Sequence, residues 1–176
     1  MIRNRVADRA KARTPLYSVA ERRRRDQSAW TVVQGVLAPV QFVICLVSAA
    51  LAVRFLLTGD GYGIATASIV AKTLALYAIM ITGSIWEKAV FGRYLFAPAF
   101  FWEDAVSMVV LGLHTAYLVA LGAGYLGPAA LMWLALAAYA SYAVNAGQFL
   151  LKLRMARFDA QRHDPVATTV LRGASA

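Results

Sequence analysis

Four long apolar runs constrain this chain more than any other feature. They extend roughly from Trp30 to Leu57, Ile64 to Val90, Ala99 to Gly122 and Pro128 to Leu153. Each exceeds the about 20 residues a helix needs to cross a hydrocarbon layer roughly 30 Å thick. Inside that layer nothing but the segment itself can satisfy the backbone, so each run is expected to be helical. The fold predicted is all-α: a polytopic integral membrane protein built as a four-helix transmembrane bundle. Composition agrees, since only 15% of the 176 residues are charged, against about a quarter in soluble domains.

The charge that remains is unevenly spread, which sets the topology. Residues 1–28 hold nine Lys or Arg against three acids, and residues 150–176 hold five against two. The Gly-rich turns at 58–63 and 122–128 hold no Lys or Arg, whereas the 88–98 loop carries Lys88 and Arg93. The positive-inside rule then places both termini in the cytoplasm. The divisions expected are a basic tail (1–28), the transmembrane domain (29–154) and a second basic tail (155–176). The net charge of +9 is thus a membrane-flank signal, and no basic surface interleaved with aromatics points to nucleic acid. About thirty polar residues precede the first apolar run, so that run reads as a retained helix, not a secretory signal. Ser18 and Glu21 form a capping-box start for a short interfacial helix reaching Gln27. Arg22 to Arg25 read as its topology anchor. The lone Cys45 excludes an internal disulfide or a cysteine-based metal site.

Polar and small residues recur along each run at the spacing of a packed seam. They are Gln34, Ala38, Gln41, Cys45 and Ser48; then Thr73, Tyr77, Met80, Ser84 and Glu87; then Glu103, Ser107, Val110, His114 and Tyr117; then Ser141, Asn145, Gln148 and Lys152. Hydrocarbon offers such groups no partners, so they are expected to face other helices. Those near Glu87 fall in the cytoplasmic half, which suggests a site open to that face. Arg54 and Lys72 lie toward the outer half, where long side chains can snorkel.

The segment Ser84 to Asp104 gathers Glu87, Lys88, Arg93, Glu103 and Asp104 among seven aromatic residues. Glu87 reads either as an interfacial ion-pair partner or as a buried acid or base, because carboxyls in membrane helices are costly and tend to be functional. Glu103 and Asp104 point about 100° apart on a helix; one suits the helix N-terminus, and Glu103 shares a face with Ser107 and His114. His114 reads as an interhelical hydrogen-bond donor, an axial metal ligand or a proton carrier. No partner stands at metal-site spacing from it, so a protein-held zinc is not expected. Asn145 and Gln148 read most simply as contacts between helices.

Several strings closely resemble the 3-vinyl bacteriochlorophyllide hydratases of phototrophic bacteria. They are W-T-V-V-Q-G-V-L-A-P-V-Q-F (30–42), V-A-K-T-L-A-L-Y (70–77), I-W-E-K-A-V-F-G-R-Y-L-F-A-P-A-F-F-W-E-D (85–104), L-H-T-A-Y-L (113–118) and Y-A-V-N-A-G-Q-F-L-L-K-L-R (142–154). The resemblance covers about residues 15 to 158. It implies an enzyme of bacteriochlorophyll biosynthesis in a bacterial inner membrane, adding water to the C3-vinyl group of chlorophyllide a or a bacteriochlorophyllide. The product carries a 1-hydroxyethyl group. The partners implied are that pigment and the bilayer, together with other enzymes of the pathway or further copies of the chain.

Hydration of a vinyl group needs an acid that is neutral at working pH and a held water. Glu87 is the candidate acid, because hydrocarbon burial favours a neutral carboxyl. Glu103 or Asp104 would hold the water. Lys88 and Arg93 are placed to bind the substrate's propionate, and His114, Gln34 or Asn145 to ligate its Mg²⁺. No redox cofactor is needed, and no Gly-rich nucleotide fingerprint is present. Two other classes stay open: a non-catalytic pigment carrier or assembly subunit, and a small transporter.

Overall fold

The computed structural model describes residues 16–162, with side chains through Ala156. The outer parts of the two basic tails, residues 1–15 and 163–176, lie outside the described residues. Among the described residues five helices follow one another: α1 (Val19–Gln27), α2 (Ala29–Thr58), α3 (Tyr62–Phe91), α4 (Phe101–Ala123) and α5 (Pro128–Arg162). The last four are long and apolar enough to cross a membrane. At 1.5 Å per residue the 30-residue α2 and α3 are about 45 Å long, more than a hydrocarbon core requires.

Local chemistry sets the boundaries. α1 begins where Ser18 Oγ accepts the Glu21 N–H at 3.3 Å and Glu21 Oε2 accepts the Ser18 N–H at 2.7 Å. This is the capping box read from the sequence. α3 stops at Gly92, whose φ of +80° is a left-handed cap that a residue with a Cβ adopts at a cost. α5 starts at Pro128, where a missing N–H is harmless. It then runs past the expected end at Leu153 to Arg162, since no proline or glycine intervenes to stop it.

The long helices form two hairpins. α2 lies along α3, and α4 along α5; the hairpins meet mainly through α2 and α5, while α3 and α4 touch sparsely. Small buried residues, Ala52 and Ala65 in one hairpin and Ala120 and Ala135 in the other, let backbones approach closely, as helix pairs in lipid require. Outward-facing Leu46, Ile81, Val109 and Trp133 are exposed, as expected of a lipid-facing surface.

The predicted seam is largely realised. Gln41, Cys45 and Ser48 on α2, and Glu103, Ser107, Val110, His114 and Tyr117 on α4, are all buried. Near the start of α2 the pattern departs: Ala38 is exposed and Gln34 only half-buried. There α2 is tied to α3 through Gln34 Nε2 to Thr82 Oγ1 at 2.7 Å and Trp86 Nε1 to Thr31 Oγ1 at 2.9 Å, and to α1 through Thr31 Oγ1 to the Arg25 carbonyl at 2.6 Å.

Candidate functional site

The 92–100 loop brings the last turn of α3 against the first turn of α4, at the end of the bundle where α2 begins. Glu87 and Asp104 are brought together there, close enough for their carboxyls to interact. The loop folds back over them: the Ala97 N–H donates to Glu87 Oε1 at 3.1 Å, and the Phe96 N–H donates to Asp104 Oδ2 at 2.7 Å. Both acids are almost inaccessible, at 3% and 7% exposure. Two carboxylates this close and shielded from water would repel, and a proton shared between the two acids relieves that repulsion.

Phe96 has φ +58°, a left-handed conformation that costs a non-glycine residue roughly 1 kcal/mol or more. That conformation aims its N–H at Asp104. A cluster of rings flanks the loop. Phe100, 3% exposed, stacks on Phe149 and lies edge-on to Trp86 and Phe91, while Tyr17 stacks on Phe91. The carboxyls thus lie beneath a loop and beside an aromatic cap, and the opening expected on that face is closed.

Glu103 has a separate partner. Lys152, from α5, donates to Glu103 Oε2 at 2.5 Å and lies 5.0 Å from the centre of the Phe100 ring. The 100° step between adjacent helical residues sends Asp104 to α3 and Glu103 to α5. Sequence reading left the division between them open, and it did not pair Lys152 with either. The only local signal was the place of Lys152 on the polar stripe of the fourth run.

The other candidates divide by position. Asn145 Nδ2 donates to Ser107 Oγ at 2.8 Å, one helical turn from the acids; among the described residues neither its buried Oδ1 nor Gln148 Oε1 has a hydrogen-bond partner. Lys88 is exposed, donates to the Gly92 carbonyl at 3.0 Å and lies 5.2 Å from the Tyr94 ring, with Arg93 exposed beside it. Gln34 is committed to Thr82 on the α2–α3 contact. His114 lies deep in the bundle, about 15 Å along α4 from Asp104. Its Nδ1 donates to the Val110 carbonyl at 2.8 Å, and its buried Nε2 has no hydrogen-bond partner among the described residues.

Lys72 does not snorkel. It is fully buried, its ammonium 4.0 Å from the centre of the Tyr142 ring and without a hydrogen bond among the described residues. The lysine stem points between the helices, where a ring face replaces water as the partner of the cation. Arg54, by contrast, is exposed.

Residues 17–155 match the family described as 2-vinyl bacteriochlorophyllide hydratase (BCHF). The chain belongs to that family. A protein of Rhodobacter capsulatus named 2-vinyl bacteriochlorophyllide hydratase is 57% identical over 162 residues, covering 92% of this chain and 94% of its own length. One of Cereibacter sphaeroides with the same name is 61% identical over 145 residues, covering 82% of this chain and 89% of its own. No solved structure matches. The family match spans the carboxyl pair, the covering loop and the Lys152–Glu103 ion pair, so all three lie within the shared region.

Proposed function

We propose that this member of the vinyl bacteriochlorophyllide hydratase family hydrates the vinyl group of a bacteriochlorophyll precursor at the Glu87–Asp104 pair, in a bacterial inner membrane with both termini cytoplasmic. The observation that carries the reading is the burial of these two carboxyls together under one loop, whose adjacent Phe96 and Ala97 N–H groups bond Asp104 and Glu87. The vinyl group, at C3 in current numbering of the macrocycle, is C2 in the older convention used in the relatives' names. Chlorophyllide a and a 3-vinyl bacteriochlorophyllide both carry it.

The chemistry follows from one proton held between two acids. Asp104 has the shorter backbone hydrogen bond, 2.7 Å against 3.1 Å, and lies in the first turn of α4, where a helix favours negative charge. The charge is better housed on Asp104 and the proton on Glu87. Glu87 gives that proton to the terminal vinyl carbon as the π bond breaks, leaving a cation on the carbon next to the ring, delocalised into the macrocycle. A water attacks this carbon and Asp104 takes the released proton. Transfer from Asp104 to Glu87 restores the starting state. One water enters, one C–H and one C–O bond form, and no electrons are gained or lost, so no redox cofactor is called for. General acid–base assistance of this kind contributes about 10²–10⁴ in rate.

Glu103, neutralised by Lys152, supports the pair electrostatically. Lys88 and Arg93 suit the propionate at the rim. The Mg²⁺ belongs to the substrate and prefers oxygen. Asn145 Oδ1, unpartnered among the described residues, is an oxygen one turn from the acids, whereas His114 and Gln34 are further off or already engaged.

The test is to incubate membranes containing the protein with chlorophyllide a and follow absorbance and mass. Gain of one water, with the red band moving to shorter wavelength and no reductant added, supports hydration. Pigment that binds and is released unchanged by the wild-type protein would sink this reading and leave a pigment carrier in its place.

A further inference from the structure

The acids are covered by the 92–100 loop and flanked by the ring cluster, and α2–α3 and α4–α5 are closely packed. The remaining seam is the sparsely packed one between α3 and α4. Glu87 on α3 and Asp104 on α4 form its head. Below them Ser84 and Met80 continue the stripe on α3, and Met108 and Leu111 that on α4, all half-buried. The adjoining α4 stripe, with Val110, His114 and Tyr117 at 0–1% exposure, is fully enclosed. The foot of the seam is closed by one polar tie: Tyr77 OH lies 2.9 Å from Thr115 Oγ1 on the exposed side of the bundle. Hydrocarbon offers such a pair no other partner.

From the carboxyls to this tie is ten residues of α3, about 15 Å at 1.5 Å per residue. That is comparable to the edge of a substituted tetrapyrrole. We propose that the substrate enters sideways from the bilayer into the α3–α4 seam, its vinyl group at the head and its opposite edge at the foot, where Tyr77 acts as a positioning residue. This inference rests on the hydratase reading. The macrocycle bears a ring ketone diagonally across from the vinyl group, which is the polar atom the foot would meet. Thr115 already donates to the Leu111 carbonyl at 2.8 Å, so the proton in the tie belongs to Tyr77. On binding, Tyr77 turns that hydroxyl from the Thr115 oxygen to the ketone, a stronger acceptor, so the gain is the difference between the two bonds. The two methionines are flexible side chains suited to yielding around a flat ring.

The experiment uses full-length protein in nanodiscs, with Y77F, M80W and L111W, and V40W as a control on the exposed face of α2. Turnover and pigment binding are measured side by side. A gain of about half a hydrogen bond corresponds to roughly twofold in KM with kcat kept, expected for Y77F with the natural ketone. A substrate with methylene in place of the ketone should show no difference between Y77F and wild type. M80W and L111W should each lower kcat/KM more than tenfold and weaken binding, and V40W should change neither. If both tryptophan variants, eluting as wild type on size exclusion, keep wild-type KM and binding, the seam is not the substrate site. If Y77F lowers stability but leaves KM unchanged, the positioning role falls. If wild type binds pigment without turnover and M80W and L111W lose that binding, the seam stands and the hydratase reading is what fails.

Discussion

Lys152 and Glu103 are joined at 2.5 Å across the α4–α5 contact, with side chains 17% and 9% exposed. This ion pair anchors α5 to the first turn of α4, next to the acid that meets Glu87. Removing one partner from such a pair strands the other charge, at a cost of about 3 kcal/mol. K152M is therefore expected to lower stability by roughly that amount, and the double variant K152M/E103Q to recover most of it. Thermal unfolding in one detergent, followed by circular dichroism, measures both terms. Full additivity of the two single changes would show that the pair is not coupled.

Removing either acid of the Glu87–Asp104 pair should abolish the one-proton cycle. E87Q and D104N are each expected to lower kcat by about a hundredfold or more, with pigment binding kept. E103Q, which leaves the cycle whole, should lose much less. Single-turnover hydration separates the chemical step from binding, and equal effects of all three substitutions would remove the distinction drawn between Asp104 and Glu103.

Phe96 holds its N–H on Asp104 from a left-handed backbone conformation. Glycine adopts that conformation without the steric penalty, so F96G should raise stability by about 1 kcal/mol, reduced by loss of the ring contact with Phe101 at 5.6 Å. Activity should persist, because the hydrogen bond comes from the backbone. A chemical denaturation midpoint that falls sharply would show that the Phe96 ring contributes more than its backbone costs.

Lys72 places a desolvated ammonium between the helices, over the Tyr142 ring. Methionine matches its length without the charge, and replacing buried ionic groups by apolar ones of similar volume is often neutral or stabilising. K72M is expected to raise the melting temperature by a few degrees, at about 2–4 °C per kcal/mol for a chain of this size, while hydration continues. A large loss of turnover with the fold intact would assign Lys72 a part in the reaction.

The sequence alone determined the number, length and helical nature of the spans. Covering a backbone in hydrocarbon is a local requirement that each run meets by itself. The capping box at Ser18 was legible for the same reason, since its bonds close within four residues. The strings around Trp86 and Asp104 were enough to point to the family. The tertiary structure decided which acid does what. Whether Asp104 or Glu103 meets Glu87 depends on the path of the 92–100 loop and on a lysine brought from α5, 49 residues away. It also decided that Lys72 turns inward, that the acids are covered by their own loop, and that α3 and α4 leave a seam. These outcomes depend on how helices lean on one another across large sequence separations, and no periodicity within a single run encodes that.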